Sequence, residues 1–98
     1  MQDKNNFVYV FTHVTGKILY VGKTNTITRR INEHIRKNKT KDTYKIFIYE
    51  TSSKSYMDRL EKYLIWFLEP TKNKTRYKKV NLDWIPSESM WREYGGID

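Results

Sequence analysis

The sequence has 98 residues, with 19 Lys and Arg against 11 Asp and Glu, and a formal net charge of +8. Hydrophobic residues make up 38% of the chain and aromatic residues 15%, which suffices for the core of one small domain. The lack of cysteine excludes disulfides, thiolate catalysis and thiolate zinc sites. The positive charge indicates an anionic partner, but it does not distinguish DNA from RNA, acidic proteins or membranes.

The chain contains no apolar run near the roughly 20 residues that a membrane-spanning helix needs. Its first residues are polar and lack the apolar segment of a signal peptide. We therefore expect a soluble, cytoplasmic protein with no membrane partner. The Lys- and Asn-rich composition fits a bacterial, phage or mobile-element origin.

The first part of the chain predicts a β-hairpin. Residues 7–14 (FVYVFTHV) and 18–22 (ILYVG) are rich in β-branched and aromatic residues, and Gly16 between them suits a turn. Gly22 and Lys23 stand where the second strand ends, and a small residue there lets a substrate backbone approach. Strand alternation places Val8 and Val10 on one face of the sheet and Phe7, Tyr9 and Phe11 on the other.

A helix and a third strand are predicted next. Polar residues 24–26 suit the start of a helix over about 27–38, and residues 44–51 (YKIFIYET) predict a strand after a solvated, Lys-rich loop. The apolar stripe of the helix has a spacing of four residues and consists of Ile27, Ile31 and Ile35.

A second helix is predicted from the serine-rich residues 52–55 to about Leu68, where Pro70 stops it. Ser55 and Asp58 resemble a capping box at its start. One short helix is expected after Pro86.

These elements predict an α+β fold with a small three-stranded antiparallel sheet flanked by helices. We assign residues 1–76 to this domain. Residues 77–98 are expected to form a C-terminal extension packed on the same domain.

Glu61 is the residue of the second helix that fits a plain core least well. On a helical wheel it falls within, or at the edge of, an apolar arc roughly 80–100° wide. The apolar residues of this arc are Met57, Leu60, Leu64, Phe67 and Leu68. A carboxylate there loses hydration and persists only if it is paired, hydrogen-bonded or bound to a metal. An ion pair at the rim of the core and a Mg²⁺ ligand both fit this position.

Arg30 and His34 lie four residues apart and therefore on one face of the first helix. They fit a solvated basic face, and they also fit a pair that reaches a common site at the edge of the core. Tyr9 and Tyr20 lie on neighbouring strands, where aromatic residues most often pack as core or cross-strand pairs.

Taken in order, these residues resemble the GIY-YIG nuclease family, and the resemblance covers most of the chain. Its motifs are Phe7-Val8-Tyr9 for Gly-Ile-Tyr and Tyr20-Val21-Gly22 for Tyr-Ile-Gly, followed by Lys23, Arg30, His34, Glu61 and Asn73 at family-like intervals. The clear departure is Phe7 in place of the first glycine, which is expected to crowd the backbone near the site.

The resemblance implies the GIY-YIG nuclease fold and a single divalent cation, Mg²⁺ with Mn²⁺ as a substitute, held by Glu61. It further implies that Tyr9 activates the attacking water with help from His34. A tyrosine with an unperturbed pKa of about 10 is a poor base at neutral pH, so it needs nearby positive charge or a hydrogen-bonding histidine.

The same resemblance implies functions for four other residues. Tyr20 would contact or orient the scissile phosphate or the water, and Asn73 would orient site residues or the backbone. Lys23 and Arg30 would stabilise the charge of the transition state and leaving group. The carboxylate, the two phenols and the cationic helix edge are expected to meet in one pocket.

The sequence therefore predicts a metal-dependent endonuclease that hydrolyses DNA phosphodiester bonds, nicking as a monomer or cutting both strands as a homodimer. The expected DNA contacts are basic and are Lys23, Arg30, Lys72, Lys74, Arg76, Lys78 and Lys79.

Two alternatives remain open at this point. The chain fits a catalytically weak or inactive module of the same fold that binds DNA or assists another factor. It also fits a basic RNA-binding or protein-binding domain that uses exposed tryptophans, although packing of the tail on the core is favoured for Trp66, Trp84 and Trp91.

Overall fold

The computed structural model describes residues 4–95, which form a four-stranded antiparallel sheet and two α-helices. The elements are β1 (Lys4–Thr12), β2 (Ile18–Thr26), α1 (Ile27–Arg36), β3 (Lys45–Thr51), α2 (Lys54–Leu68) and β4 (Arg92–Glu93). The strand order is β2-β1-β3-β4, with every neighbouring pair antiparallel. The predicted α+β fold with an antiparallel sheet and two helices is confirmed, but the sheet has four strands and not three.

The fourth strand was missed because it is only two residues long and has no alternation to detect. It pairs with Phe47 and Ile48 of β3, and the Tyr94 amide that follows donates to the Ile46 carbonyl at 2.7 Å. The short helix expected after Pro86 is a single 3₁₀ turn, Glu88–Met90.

The two faces of the hairpin carry different side chains, as strand alternation predicts. The aromatic face packs with α1 and with inward residues of β3 in one core cluster, whose members are Phe7, Tyr9, Phe11, Leu19, Ile27, Ile31, Ile46, Ile48 and Tyr94. The valine face packs with α2 in a second cluster, which contains Val8, Val10, Val21, Met57, Leu60, Leu64 and Ile65. The sheet therefore lies between the two helices.

The buried side of α1 differs from the predicted isoleucine stripe. Ile27 and Ile31 are fully buried, but Ile35 is 40% exposed and His34 is only 4% exposed. Each step of four residues turns the helical wheel by about 40°, so Ile35 lies about 80° from Ile27, whereas His34 lies within about 20° of it. The helix ends at Arg36, two residues before the predicted end.

The start of α2 is capped by Ser53 and not by Ser55. The Ser53 hydroxyl accepts a hydrogen bond from the Tyr56 amide at 3.1 Å, and Ser55 lies within the first turn. The predicted end is confirmed, because the helix stops at Leu68 and is followed by Glu69 in the left-handed conformation and then by Pro70.

The buried arc of α2 is also rotated from the prediction. Phe67 is 61% exposed, and Ile65, which was left out of the predicted arc, is buried instead. Exchanging these residues shifts the centre of the arc towards Glu61, which then lies inside it and not at its edge.

Two tryptophans of the tail, Trp84 and Trp91, contact tyrosines on the α2 side of the sheet. The Trp84 ring lies 6.3 Å from Tyr49 and 6.0 Å from Tyr56, and Trp91 lies 5.6 Å from Tyr49. Trp66 packs beside Tyr63 on α2. Among residues 4–95, neither helix combines the length and the hydropathy that crossing a bilayer requires.

The observed cap gives a prediction for stability. Replacing Ser53 with Ala should lower the free energy of unfolding by about 1 kcal/mol, because the Tyr56 amide loses its hydrogen-bond acceptor. The matched change Ser55→Ala should alter it by less than about 0.5 kcal/mol. Urea denaturation of both variants measures the difference, and a larger loss in Ser55→Ala would show that the cap is wrongly placed.

Candidate active site

The Tyr9 phenol lies at the centre of a buried aromatic cluster. Its hydroxyl is 2.8 Å from Nε2 of His34, which reaches it from α1. The Tyr20 ring, from β2, lies 6.1 Å from the Tyr9 ring, and the His34 ring meets Tyr9, Phe11 and Tyr20 edge-on at 5.2–5.6 Å. We call Tyr9, Phe11, Tyr20 and His34 the phenol cluster.

The lack of a side chain at Gly22 leaves the space that the Tyr9 ring occupies. The two residues are cross-strand partners, and a Cβ on residue 22 would overlap the distal end of the Tyr9 ring, including its hydroxyl. The space that the sequence assigned to an approaching substrate backbone is therefore occupied by the phenol. In addition, β2 does not end at Gly22 but continues to Thr26.

Phe7, the departure from the family pattern, is fully buried in the same core cluster as Tyr9. Its backbone is paired with Thr24 on one side and with Glu50 on the other. The large side chain is thus accommodated in the core, with strand pairing kept on both sides.

Burial favours the neutral forms of Tyr9 and His34. Burial raises the pKa of Tyr9, the nearby Tyr20 raises it further, and interactions with the Arg30 guanidinium oppose the rise. Burial, together with the positive charges of Arg30 and Lys39, lowers the pKa of His34 to about 4. At neutral pH the imidazole is therefore uncharged, and one of its nitrogens can accept the hydrogen bond of the phenol.

Arg30 lies at the edge of the phenol cluster, partly exposed on α1. Its guanidinium interacts with the Tyr9 hydroxyl and is 3.8 Å from the Glu33 carboxylate. Arg30 and His34 thus share one site, as their spacing predicts, and the fully solvated alternative fails for His34.

A second group of polar residues lies on the α2 side of β2. The Lys23 ammonium is 2.9 Å from Oδ1 of Asp58 and 3.9 Å from Oε1 of Glu61. The other Asp58 oxygen is 3.1 Å from the ammonium of Lys54. We call Lys23, Asp58 and Glu61 the carboxylate cluster.

Glu61 has the dehydrated environment expected from its place on the helix. Its side chain is only 14% exposed. Burial raises the pKa of Glu61, the positive charge of Lys23 opposes this, and the neighbouring Asp58 adds to it. The Lys23 ammonium stays 3.9 Å from the carboxylate, which therefore retains the capacity to accept further ligands.

Asn73 fixes the strand that carries residues of both clusters. Its side-chain amide accepts from the Val21 amide and donates to the Val21 carbonyl, both at 2.9 Å. The Lys72 amide also donates to the Leu19 carbonyl at 2.8 Å. The chain after Pro70 therefore lies along the outer edge of β2 and holds residues 19–21 from outside the sheet.

The two clusters lie on opposite faces of the sheet and share β2. Tyr20 and Gly22 face the aromatic side, whereas Val21 and Lys23 face the side of α2. The expectation of one pocket is thus replaced by two clusters joined at β2, because alternation sends neighbouring strand residues to opposite faces.

The basic segment after Asn73 combines exposed charges with structural contacts. The Arg76 guanidinium donates to the carbonyls of Asn73 at 2.7 Å and Pro70 at 2.8 Å, so it braces this segment. The Lys72 ammonium donates to the Lys41 carbonyl. The remaining basic residues of the expected DNA surface, Lys74, Lys78 and Lys79, are exposed.

Asp58 is the site residue that sequence reasoning missed. It was interpreted only as part of a helix cap, although its spacing of three from Glu61 places both carboxylates on one side of α2. Within residues 4–95, no three His, Asp or Glu side chains are grouped closely enough to form a metal cage by themselves.

A family model described as the GIY-YIG catalytic domain matches residues 5–77, most of the 98-residue chain. No curated protein and no solved structure matches the chain. The matched residues include every member of the phenol cluster, the carboxylate cluster and Asn73.

The contact between Tyr9 and Gly22 predicts that one added methyl group at residue 22 lowers the stability of the fold. Gly22→Ala should lower the free energy of unfolding by at least about 2 kcal/mol, because the added Cβ overlaps a buried ring that has no free space. Gly95→Ala is the matched control, since a Cβ there meets nothing within 4 Å. Equal stability of the two variants in guanidinium denaturation would contradict this packing.

Proposed function

The chain belongs to the GIY-YIG nuclease family, and from that membership we propose that it is a divalent-metal-dependent endonuclease that hydrolyses DNA phosphodiester bonds. The observation that carries the proposal is the buried hydrogen bond between the Tyr9 hydroxyl and Nε2 of His34. A neutral phenol next to a neutral imidazole is a route by which a proton can leave an attacking water. We propose that the enzyme acts in the cytoplasm of a bacterial or phage-infected cell.

The proton pathway follows from the pKa directions in the phenol cluster. Because burial raises the pKa of Tyr9, a standing phenolate is disfavoured at neutral pH. His34 is uncharged above a pKa of about 4 and lies 2.8 Å away, so it can take the phenol proton as the phenol takes one from water. Tyr9 is thus proposed to take the proton from the water, and His34 is proposed to be the final proton acceptor.

Glu61 is proposed to hold the divalent cation. A carboxylate that is 14% exposed and 3.9 Å from its nearest cation has oxygen lone pairs available for an ion. Mg²⁺ is commonly held by one or two carboxylates, with water and substrate phosphate completing its shell, so a single glutamate is sufficient. A bound Mg²⁺ or Mn²⁺ would stabilise the negative charge that develops on the phosphate.

The cationic residues provide the remaining electrostatic stabilisation in this proposal. Arg30, at the edge of the phenol cluster, and Lys23, in the carboxylate cluster, are both partly exposed, and each is proposed to contact a phosphate oxygen. Tyr20 is proposed to contact the phosphate or the water. Asn73 is proposed to act indirectly, by holding the backbone of Val21 between these groups.

Binding of DNA is proposed to rest on charge. The net charge of +8 and the exposed basic residues after Asn73 favour contacts to phosphates, which position a duplex without specifying its sequence. We therefore propose low intrinsic sequence preference, or recognition of a DNA structure such as a nick, flap or branch. One site per chain corresponds to nicking by a monomer and to cleavage of both strands by a homodimer.

A second candidate function is a GIY-YIG-fold module that binds DNA or assists another factor without turnover. The observation that favours it is the separation of the phenol and carboxylate clusters on opposite faces of the sheet. This candidate predicts DNA binding that weakens steeply with salt and shows no metal-dependent cleavage.

The endonuclease proposal predicts nicking of supercoiled plasmid by the purified chain in Mg²⁺ or Mn²⁺ and none in EDTA. Glu61→Gln should lower the nicking rate by roughly a hundredfold or more, because the cation loses the charged ligand proposed for it. Glu88→Gln, an exposed glutamate in the 3₁₀ turn, is the matched control and should keep the full rate. Nicking that persists in Glu61→Gln would end the proposal, and DNA binding without nicking would support the second candidate.

Two neighbouring arginines of α1 allow the charge in the site to be tested separately. Arg30→Ala should reduce the nicking rate by roughly a hundredfold, because a cation beside the reacting phosphate is lost. Arg29→Ala should leave the rate within about threefold, since Arg29 bonds only to Glu33 and Thr26 at the surface among the described residues. Equal losses in the two variants would assign Arg30 to general DNA binding.

A further inference from the structure

Lys23 lies near two carboxylates, Asp58 and Glu61, and it hydrogen-bonds to Asp58, which has no part in the proposed chemistry. Its ammonium donates a hydrogen bond to Oδ1 of Asp58 at 2.9 Å and remains 3.9 Å from Oε1 of Glu61. The second distance is about 1 Å longer than a charge-assisted hydrogen bond. The lysine therefore attracts Glu61 electrostatically without occupying its oxygens.

This difference matters because an ammonium and a divalent cation compete for the same lone pairs. A lysine in direct contact with a carboxylate that is only 14% exposed would be held there, because two opposite charges attract each other more strongly where the effective dielectric is low. A cation that binds Glu61 would then first have to displace that lysine. In the observed arrangement this step is avoided.

Resting on the proposed function of Glu61 as the metal ligand, we propose that Asp58 is a positioning residue. It holds the Lys23 ammonium away from Glu61 and so leaves that carboxylate free to bind a divalent cation. Asp58 is suited to this because it lies one helical turn before Glu61 on α2 and faces the same strand.

The other contacts of Asp58 keep it available for this purpose. Its second oxygen bonds to the Lys54 ammonium at 3.1 Å, four residues earlier on the helix. The hydrogen bond from Lys23, followed by the one from Lys54, holds the pKa of Asp58 below its usual range. Asp58 is therefore ionised and presents one oxygen to each lysine.

The backbone position of Lys23 is also fixed. Lys23 is paired with Val8 of the central strand β1, and the strand is braced two residues earlier by Asn73. The ammonium is thus restricted to a region from which it reaches either carboxylate, and the identity of residue 58 determines which one it contacts.

The test is a Mn²⁺ titration of the full chain in the absence of DNA, followed by paramagnetic broadening of the backbone amide signals around Glu61. In Asp58→Asn, Lys23 should move onto Glu61, and the apparent affinity for Mn²⁺ should fall about two- to fivefold, the range expected for a partly exposed ion pair. Asp42→Asn is the control for charge, because it removes the same charge at an exposed position with φ of 70° that Asn tolerates. It should leave the affinity unchanged.

Removing Asp58 also removes a negative charge near the cation, so the decisive measurement is a double-mutant cycle with Lys23→Gln. If Asp58 acts through Lys23, the effect of Asp58→Asn should largely disappear in the Lys23→Gln background. An effect of equal size in both backgrounds would overturn the proposal and identify Asp58 as a direct ligand or a simple charge.

The cycle separates this inference from the proposed function. Broadening around residues 58–62 that disappears in Glu61→Gln supports Glu61 as the ligand, whatever Asp58 does. Broadening that survives in Glu61→Gln, or that is missing from the unmodified chain, overturns the metal assignment and this inference together.

Discussion

The packing of the Tyr9 ring against the backbone of Gly22 is the contact on which the rest of the site depends. The ring is fully buried on the central strand, and any side chain at residue 22 would occupy its place. Because the ring lies there, its hydroxyl reaches Nε2 of His34 at 2.8 Å. Burial then determines the chemistry of this pair, since it disfavours both the phenolate and the imidazolium.

Strand β2 connects this contact to the carboxylate cluster. Residues 20–23 alternate between the phenol cluster and the carboxylate cluster, while Asn73 holds the backbone of Val21 from the outer edge of the sheet. The proposed hydrolysis therefore requires a phosphate to contact groups from both faces of β2. The separation of the clusters is the physical reason that a binding module remains the competing function.

The sequence predicted the parts of the fold that depend on short-range periodicity. Alternation in the hairpin and the stop at Pro70 were correct because each follows from local geometry. The prediction failed for β4, which is too short to show a period. It also failed for the buried side of α1, where His34 is buried and Ile35 is 40% exposed. A polar residue is buried there because the Tyr9 hydroxyl provides its partner, and that partner lies 25 residues away in sequence.

The candidate site was predicted as a set of residues and not as an arrangement. Family-like spacing selects Tyr9, His34 and Glu61, but spacing along the chain does not state which face of the sheet each residue joins. Asp58 was missed for a related reason, because its partner Lys23 is brought to it only by the packing of α2 on β2.

Nitrogen-detected NMR of the His34 ring would show whether Tyr9 and His34 form the neutral, hydrogen-bonded pair that the proposed proton transfer requires. We expect the ring to be uncharged at neutral pH with its proton on Nδ1, and its pKa to be about 4. In Tyr9→Phe, the Nε2 signal should shift because its hydrogen bond is lost. A proton on Nε2, or a pKa near the unperturbed value of about 6.5, would show that His34 does not accept a hydrogen bond from Tyr9 in a dehydrated site.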